Sequence, residues 1–279
     1  MAEEKISLAL AFLQSHPEPA AAILEQHDIQ EVAKFASGIP PSYAGPVFQH
    51  MLPHYASRIC RVLSREIMAG IFSHMELGQI AAILRYLTKD QRAELLDELP
   101  AKIKIACSLL LNFSEDMVGA WITPQIATIS IDSTVHEALT YMKNTPDLIH
   151  TDFLFTVNRD RELKGRIRLL DLLRANPDSQ VSNLTEAKGE VLTARMRMTL
   201  AATHKDWKRF HEIPVLNRNQ KFIGVLRHIE LRKALDHLAP ETEQASQSDS
   251  FAGVGKAYAD SLIALLGSMK QIVETDVRS

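Results

Sequence analysis

From Ala20 to Phe113 the apolar positions keep a helical spacing, in short units that begin anew roughly every dozen residues. The pieces AAAILEQHD, IQEVAKFASGIP, YAGPVFQHMLP, ASRICRVLS, EIMAGIFSHME, IAAILRYLTK, RAELLDELP and KIACSLLLNF follow one another, each with a small residue beside two or three aliphatics. A helix of that length cannot bury its apolar face alone. The pattern over residues 1–118 therefore predicts neighbouring units stacked into a helical superhelix. Pro40, Pro41, Pro53 and Pro100 fall at the joints and are expected to start or stop helices.

At Gly119 the period changes. IATISI, TVHEALTYMKN, DFLFTVN, KGRIRL and LDLLRAN read as strand, helix, strand, strand, helix. After a polar stretch the order returns in GEVLTAR, MTLAATHKDWKRF, HEIPVLN, FIGVLR and IELRKALDHL, roughly 60 residues further on. Strands this short need helices packed on them, so the two units are expected to fold as one α/β body, at 119–178 and 179–238. Residues 239–250 are polar and read as a linker. Beyond them Leu262, Leu265, Leu266, Met269, Ile272 and Val273 repeat at helical spacing, predicting an amphipathic helix over 251–279 that docks on its own domain or a second copy, or else on a partner or a membrane surface, the last disfavoured by a polar face that is not basic.

Composition excludes several classes. Of 279 residues, 46% are hydrophobic, too many for a disordered chain. Only Cys60 and Cys107 are cysteines; without metal or redox spacing they read as buried free thiols of a reducing compartment. The N-terminus lacks a secretory signature, and no apolar run approaches the roughly 18 residues of a membrane span, so a soluble, cytoplasmic chain is expected. Net charge is -3, but residues 1–120 carry 10 basic and 14 acidic groups, while 121–238 carry 18 and 14. An acidic first half thus precedes a basic second half. His50 and His54 are four apart, yet Pro53 intervenes and no third ligand stands near in sequence, so surface or cap roles are expected. His204, Lys205, Lys208, Arg209 and His211 surround Trp207 and Phe210, a nucleic-acid patch in composition only. No phosphate loop, nucleophile elbow or paired catalytic carboxylates occur, so the chain is not expected to be an enzyme.

The helical repeat, the joint EDMVGAWITPQIATISIDSTVHEAL and the segments DFLFTVNRDRELKGRIRLLDLL and FHEIPVLNRNQKFIGVLRHIEL together resemble the cytosolic part of MgtE-type magnesium channels over about residues 15–238. The resemblance implies a right-handed N-terminal superhelix of the MgtE-N kind followed by a tandem pair of CBS modules. The five-helix pore that follows in that family has no counterpart before residue 279, so a channel is not expected unless the chain is a piece of a longer protein. In the family, Mg²⁺ bridges carboxylates that otherwise repel. Here the candidates are Glu94, Asp97, Glu98, Glu115 and Asp116; Arg195, Arg197 and Arg209 stand where the family is acidic.

CBS pairs also bind adenine nucleotides such as ATP or AMP. The resemblance places Asp171 and Glu230 where carboxylates accept ribose hydroxyls, Arg168 and Arg227 at the phosphate positions, and Phe153, Phe210 and Pro214 beside the base. The arginines either strengthen phosphate binding or fill the cleft by pairing with Asp171 and Glu230. The expected function is a regulatory sensor, homodimeric through its CBS modules, answering to Mg²⁺, adenine nucleotide or both. A constitutive scaffold, or an accessory subunit of a magnesium transporter, is the alternative.

Overall fold

Eight helices begin at residues 17, 29, 41, 53, 65, 77, 89 and 101, twelve apart every time. In this computed structural model, which describes residues 10–124, 126–145 and 153–238, they are α1 (Pro17–Leu24), α2 (Ile29–Ser37), α3 (Pro41–His50), α4 (Pro53–Cys60), α5 (Arg65–Phe72), α6 (Leu77–Arg85), α7 (Lys89–Asp97) and α8 (Ala101–Leu111). The linker and C-terminal helix expected at 239–279 lie outside the described residues. The joints carry the chemistry that starts a helix. Pro17, Pro41 and Pro53 stand in first turns, where a missing N–H costs nothing. Asp28 and Ser64 accept from backbone N–H groups of the turns they precede. Thr88 and Gln91 close a capping box. Pro46 alone among these prolines sits inside a helix, α3.

From α1 to α7 each helix packs on the next but one: α1 on α3, α3 on α5, α5 on α7, and likewise α2 on α4 and α4 on α6. Odd and even helices thus stack in two rows, sharing a core in which Ile59, Met68, Ile71, Phe72, Ile80, Ile83 and Leu84 are wholly inaccessible. The Tyr55 hydroxyl donates to the carbonyls of Leu24 and His27, tying α4 to the turn after α1, and burial pushes its pKa up to about 12. Arg92 donates to the carbonyls of Leu84, Arg85 and Leu87, satisfying the end of α6. Residues 10–107 form one compact unit and 108–238 a second.

In the second unit, β1 (Thr128–Ser130), α9 (Val135–Lys143), β2 (Phe153–Val157), β3 (Leu163–Arg168) and α10 (Leu169–Arg174) make the first module. After β4 (Glu186–Ala187) come β5 (Leu192–Thr193), α11 (Met198–Ala202), β6 (Glu212–Leu216), β7 (Phe222–Arg227) and α12 (His228–Leu238). The sheets are ordered β1-β2-β3-β4 and β5-β6-β7; β1–β2 and β5–β6 are parallel, the other pairs antiparallel.

The duplication is strict. Phe153 faces Arg168 across the first hairpin as Glu212 faces Arg227 across the second, 59 residues on, and both ladders slip at the same place. The turns match as well: Asn158 and Asn217 accept from the N–H two residues on, and Arg161 and Gln220 take the left-handed conformation at φ 60° and 58°.

Strand alternation assigns the faces. Leu154 and Ile167 pack with Val135, Ala138 and Leu172 on the module's own helices. Phe155, Val157 and Leu163 turn the other way and share a core with Leu216, Phe222 and Val225 of the second module. The connecting segments are exchanged. Thr123, on the way into the first module, bonds in both directions with Val225 of β7, and Val118 and Gly119 donate to Met196 and Ala194. Reciprocally, β4, on the way into the second module, pairs with β3 of the first. Gly165 and Gly224 lie at the two crossings: a Cβ on Gly165 would meet the Glu186 carbonyl, and one on Gly224 the Thr123 carbonyl.

Candidate functional site

The cross-strand register puts Phe153, Phe155, Arg166 and Arg168 on the face of the first sheet that looks toward the second module. Phe155 closes into the shared core against Phe222, ring centroids 5.3 Å apart. One step along, the core ends and polar chemistry begins. Phe153 meets Phe210, which precedes β6, edge to face at 5.9 Å and 82°. The Arg166 guanidinium carbon lies 3.8 Å from the Phe210 centroid and 4.8 Å from that of Phe153. Arg209 approaches Phe210 at 5.3 Å. Stacking of this kind contributes up to about 2 kcal/mol when water is excluded.

Arg166 is mostly withdrawn from solvent, its side chain 12% exposed. Its Nε is buried without a hydrogen-bond partner, and the facing carboxylate oxygen, on Glu186, is 4.0 Å away. Burial first, with Arg209 and Arg168 adding, holds its pKa below the usual arginine range, against the pull of Glu186 and Asp206. Glu186 also faces Arg168, at 3.5 Å. Two rings, one from each module, and three arginines therefore converge, an arrangement that suits a flat ring joined to an anion.

Of the residues singled out in the sequence, Phe153, Phe210 and Arg168 come together here. Pro214 is buried in β6, opposite Val225. Asp171 stands exposed in the first turn of α10, and Arg168 turns to Glu186 instead of to it. Arg227 caps the end of β7 opposite Glu212, and Glu230 pairs with Lys233 at 3.1 Å on α12. Sequence reasoning missed Arg166 and Glu186. Arg166 alone had a local signal: it is two residues before Arg168 in a strand, hence on the same face.

Of the carboxylates considered for Mg²⁺, Glu94, Asp97, Glu115 and Asp116 are engaged. Glu94 pairs with Arg65 at 2.7 Å, and Asp97 with Lys104 at 2.6 Å. Glu98 ends α7 as its C-cap residue. In the second unit Asp116 accepts from Ser114 at 2.5 Å, while Glu115 meets His237 at 3.4 Å and its carbonyl accepts from Trp121. Among the described residues no three His, Cys, Asp or Glu side chains gather as a metal site. His50 ends α3 and His54 begins α4, so the two are not on one helix. The basic run at 204–209 is partly neutralised, since Glu190 faces both His204 and Lys205. Cys107 is buried and Cys60 half-buried; burial pushes both thiols up to about 12, far from thiolate chemistry at neutral pH.

No helix among the described residues is long and apolar enough to cross a membrane. Residues 15–116 match the family of the MgtE intracellular N domain, and residues 118–178 match the CBS domain family. The magnesium transporter MgtE of Thermus thermophilus is 22% identical over 231 residues, covering 81% of this chain and 51% of that protein. The magnesium transporter MgtE of Enterococcus faecalis is 26% identical over 147 residues, 52% of this chain and 31% of that one. The chain thus spans about half the length, or less, of these relatives. Among solved structures, the cytosolic domain of the Mg²⁺ channel MgtE in complex with ATP superposes with a TM-score of 0.69 at 21% identity, over 82% of this chain and 93% of that one. The soluble part of a magnesium transporter gives 0.58 at 19% identity, over 86% and 100%. At these identities the likeness establishes the fold.

Proposed function

We propose, for a chain that joins an MgtE intracellular N domain to a CBS pair, a non-catalytic regulatory role in which the seam between the CBS modules binds an adenine nucleotide. One observation carries this reading: Phe153 and Phe210, from different modules, meet beside Arg166, Arg168 and Arg209. A ligand touching both modules binds one arrangement of the pair better than others, and that difference is what a sensor transmits. The ATP complex of the cytosolic MgtE domain supports the ligand class.

Titration calorimetry with ATP tests it. The wild type is expected to give a defined stoichiometry, with Phe210→Ala weakening binding roughly 10- to 100-fold through lost stacking. Asp171→Ala removes the ribose acceptor and is expected to abolish measurable heat. Unchanged affinity in both variants would place the nucleotide elsewhere. Mg²⁺ stands second in this reading, because a divalent ion bridging Glu94 or Asp97 must first displace Arg65 or Lys104. Titration with and without Mg²⁺ separates an ion that travels with the nucleotide from one bound independently.

The same unit is assigned a homodimeric state. Tyr141 and Leu200 stand exposed on α9 and α11, and Leu170 and Ile229 on α10 and α12, each pair 59 residues apart like the strands beneath them. A face that repeats itself suits a second copy related by a two-fold axis. Light scattering is expected to give twice 31.2 kDa for the wild type and 31.2 kDa for the Leu170→Glu, Ile229→Glu double variant. A double variant that keeps the wild-type mass removes this face from the dimer contact.

A further inference from the structure

The aromatic pair is already occupied, by a residue of the chain itself. Arg166 lies over Phe210 at 3.8 Å, about the separation that a stacked purine would take, and 4.8 Å from the centroid of Phe153, which meets Phe210 edge to face. A planar ring cannot stack on that face of Phe210 while the guanidinium is there. Arg166 is not locked in, however. Its Nε finds no acceptor, and its facing carboxylate at 4.0 Å is too far for a hydrogen bond. Glu186 is shared with Arg168, which comes closer to it, at 3.5 Å. A buried N–H left unpaired disfavours the stacked position, whereas the π faces of two rings favour it. An arginine so balanced leaves readily when an anion offers the missing acceptor.

Resting on the nucleotide reading above, we infer that Arg166 is a self-ligand that gates this site: its guanidinium fills the base position in the empty state and becomes a phosphate ligand when a nucleotide displaces it. The gate dictates selectivity by charge. A neutral nucleoside must expel a stacked cation and gives it no partner. A nucleotide expels the same cation and then pairs with it, so the cost of opening is recovered. The ligand class is therefore a purine carrying phosphate, with the nucleoside discriminated against.

The experiment compares adenosine with ATP by titration calorimetry on the full chain, in the wild type, Arg166→Ala and Arg166→Lys. The wild type is expected to favour ATP strongly. Arg166→Ala, with the base position emptied, is expected to bind adenosine roughly tenfold more tightly, while ATP gains less because a phosphate ligand is lost. Arg166→Lys cannot stack as a plane; it is expected to gain adenosine affinity and to keep that for ATP. Thermal melting checks that both variants are folded, and the lysine variant stands if alanine fails to fold. Wild-type ATP binding with adenosine affinity unchanged or lowered in the folded variants overturns the gate alone and leaves the nucleotide reading intact. Silence toward both compounds in every protein overturns the two together.

Discussion

Replacing Gly224 with alanine is expected to destabilise the second unit by about 3 kcal/mol or more, through strain and collision acting together. The residue sits at φ +145°, a conformation that L side chains rarely adopt, and its new Cβ would collide with the Thr123 carbonyl and lie 2.9 Å from the Pro124 Cα. Neither obstacle is the end of a flexible side chain. Both belong to the backbone that crosses β7, and Thr123 is fixed there by hydrogen bonds of 2.8 and 3.1 Å with Val225. Gly165→Ala meets the collision without the strain at the partner crossing, against the Glu186 carbonyl. Gly38→Ala is the internal control. Its Cβ would meet only ordinary contacts at 3.5 and 3.6 Å, and the change is expected to be neutral or to stabilise by up to about 1 kcal/mol. Urea unfolding of the three variants decides the matter; a Gly224→Ala midpoint equal to that of Gly38→Ala would mean that the crossing strand yields.

Phe222→Ala is expected to cost about 3–5 kcal/mol and to lower the melting temperature of residues 108–238 by roughly 10–20 °C in a single transition. The ring is 2% exposed, at 5.3 Å from Phe155, inside the core that both modules share. Removing it leaves a cavity between the modules instead of within one. With the connecting segments also exchanged, the first sheet loses β4 and β7 loses its Thr123 bridge when the modules part. Differential scanning calorimetry that resolved separate transitions for the modules in this variant would contradict the shared core.

The sequence revealed the change of period at Gly119 and the repeated strand-helix order because both are one-dimensional signals: apolar spacing switches from helical to alternating, and similar segments recur. The twelve-residue beat was seen only as an approximate dozen. Apolar patterning marks helix interiors, whereas the period is kept by joints of differing chemistry: prolines at Pro17, Pro41 and Pro53, side-chain caps at Asp28, Ser64 and Thr88, and no side-chain cap at Glu76. At the candidate site, Phe153, Phe210 and Arg168 were reached from the sequence. Arg166 was passed over because its partners are a ring 44 residues away and a carboxylate on a strand of two residues. The exchange of connecting segments was invisible for the same reason. Thr123 reads as the start of the first module, and only its hydrogen bonds assign it to Val225.

The strict spacing of the helix starts at 17, 29, 41, 53, 65, 77, 89 and 101 restricts how such a domain changes length. Since the helices from α1 to α7 pack on the next but one, loss or gain of a single helix among them would transfer every later one to the opposite row, exchanging buried faces for exposed ones along the rest of the run. Loss or gain of two helices leaves every later residue in its own row. The smallest heritable change of length that the architecture tolerates is therefore a pair, so indels within this domain are quantised in steps of two helices.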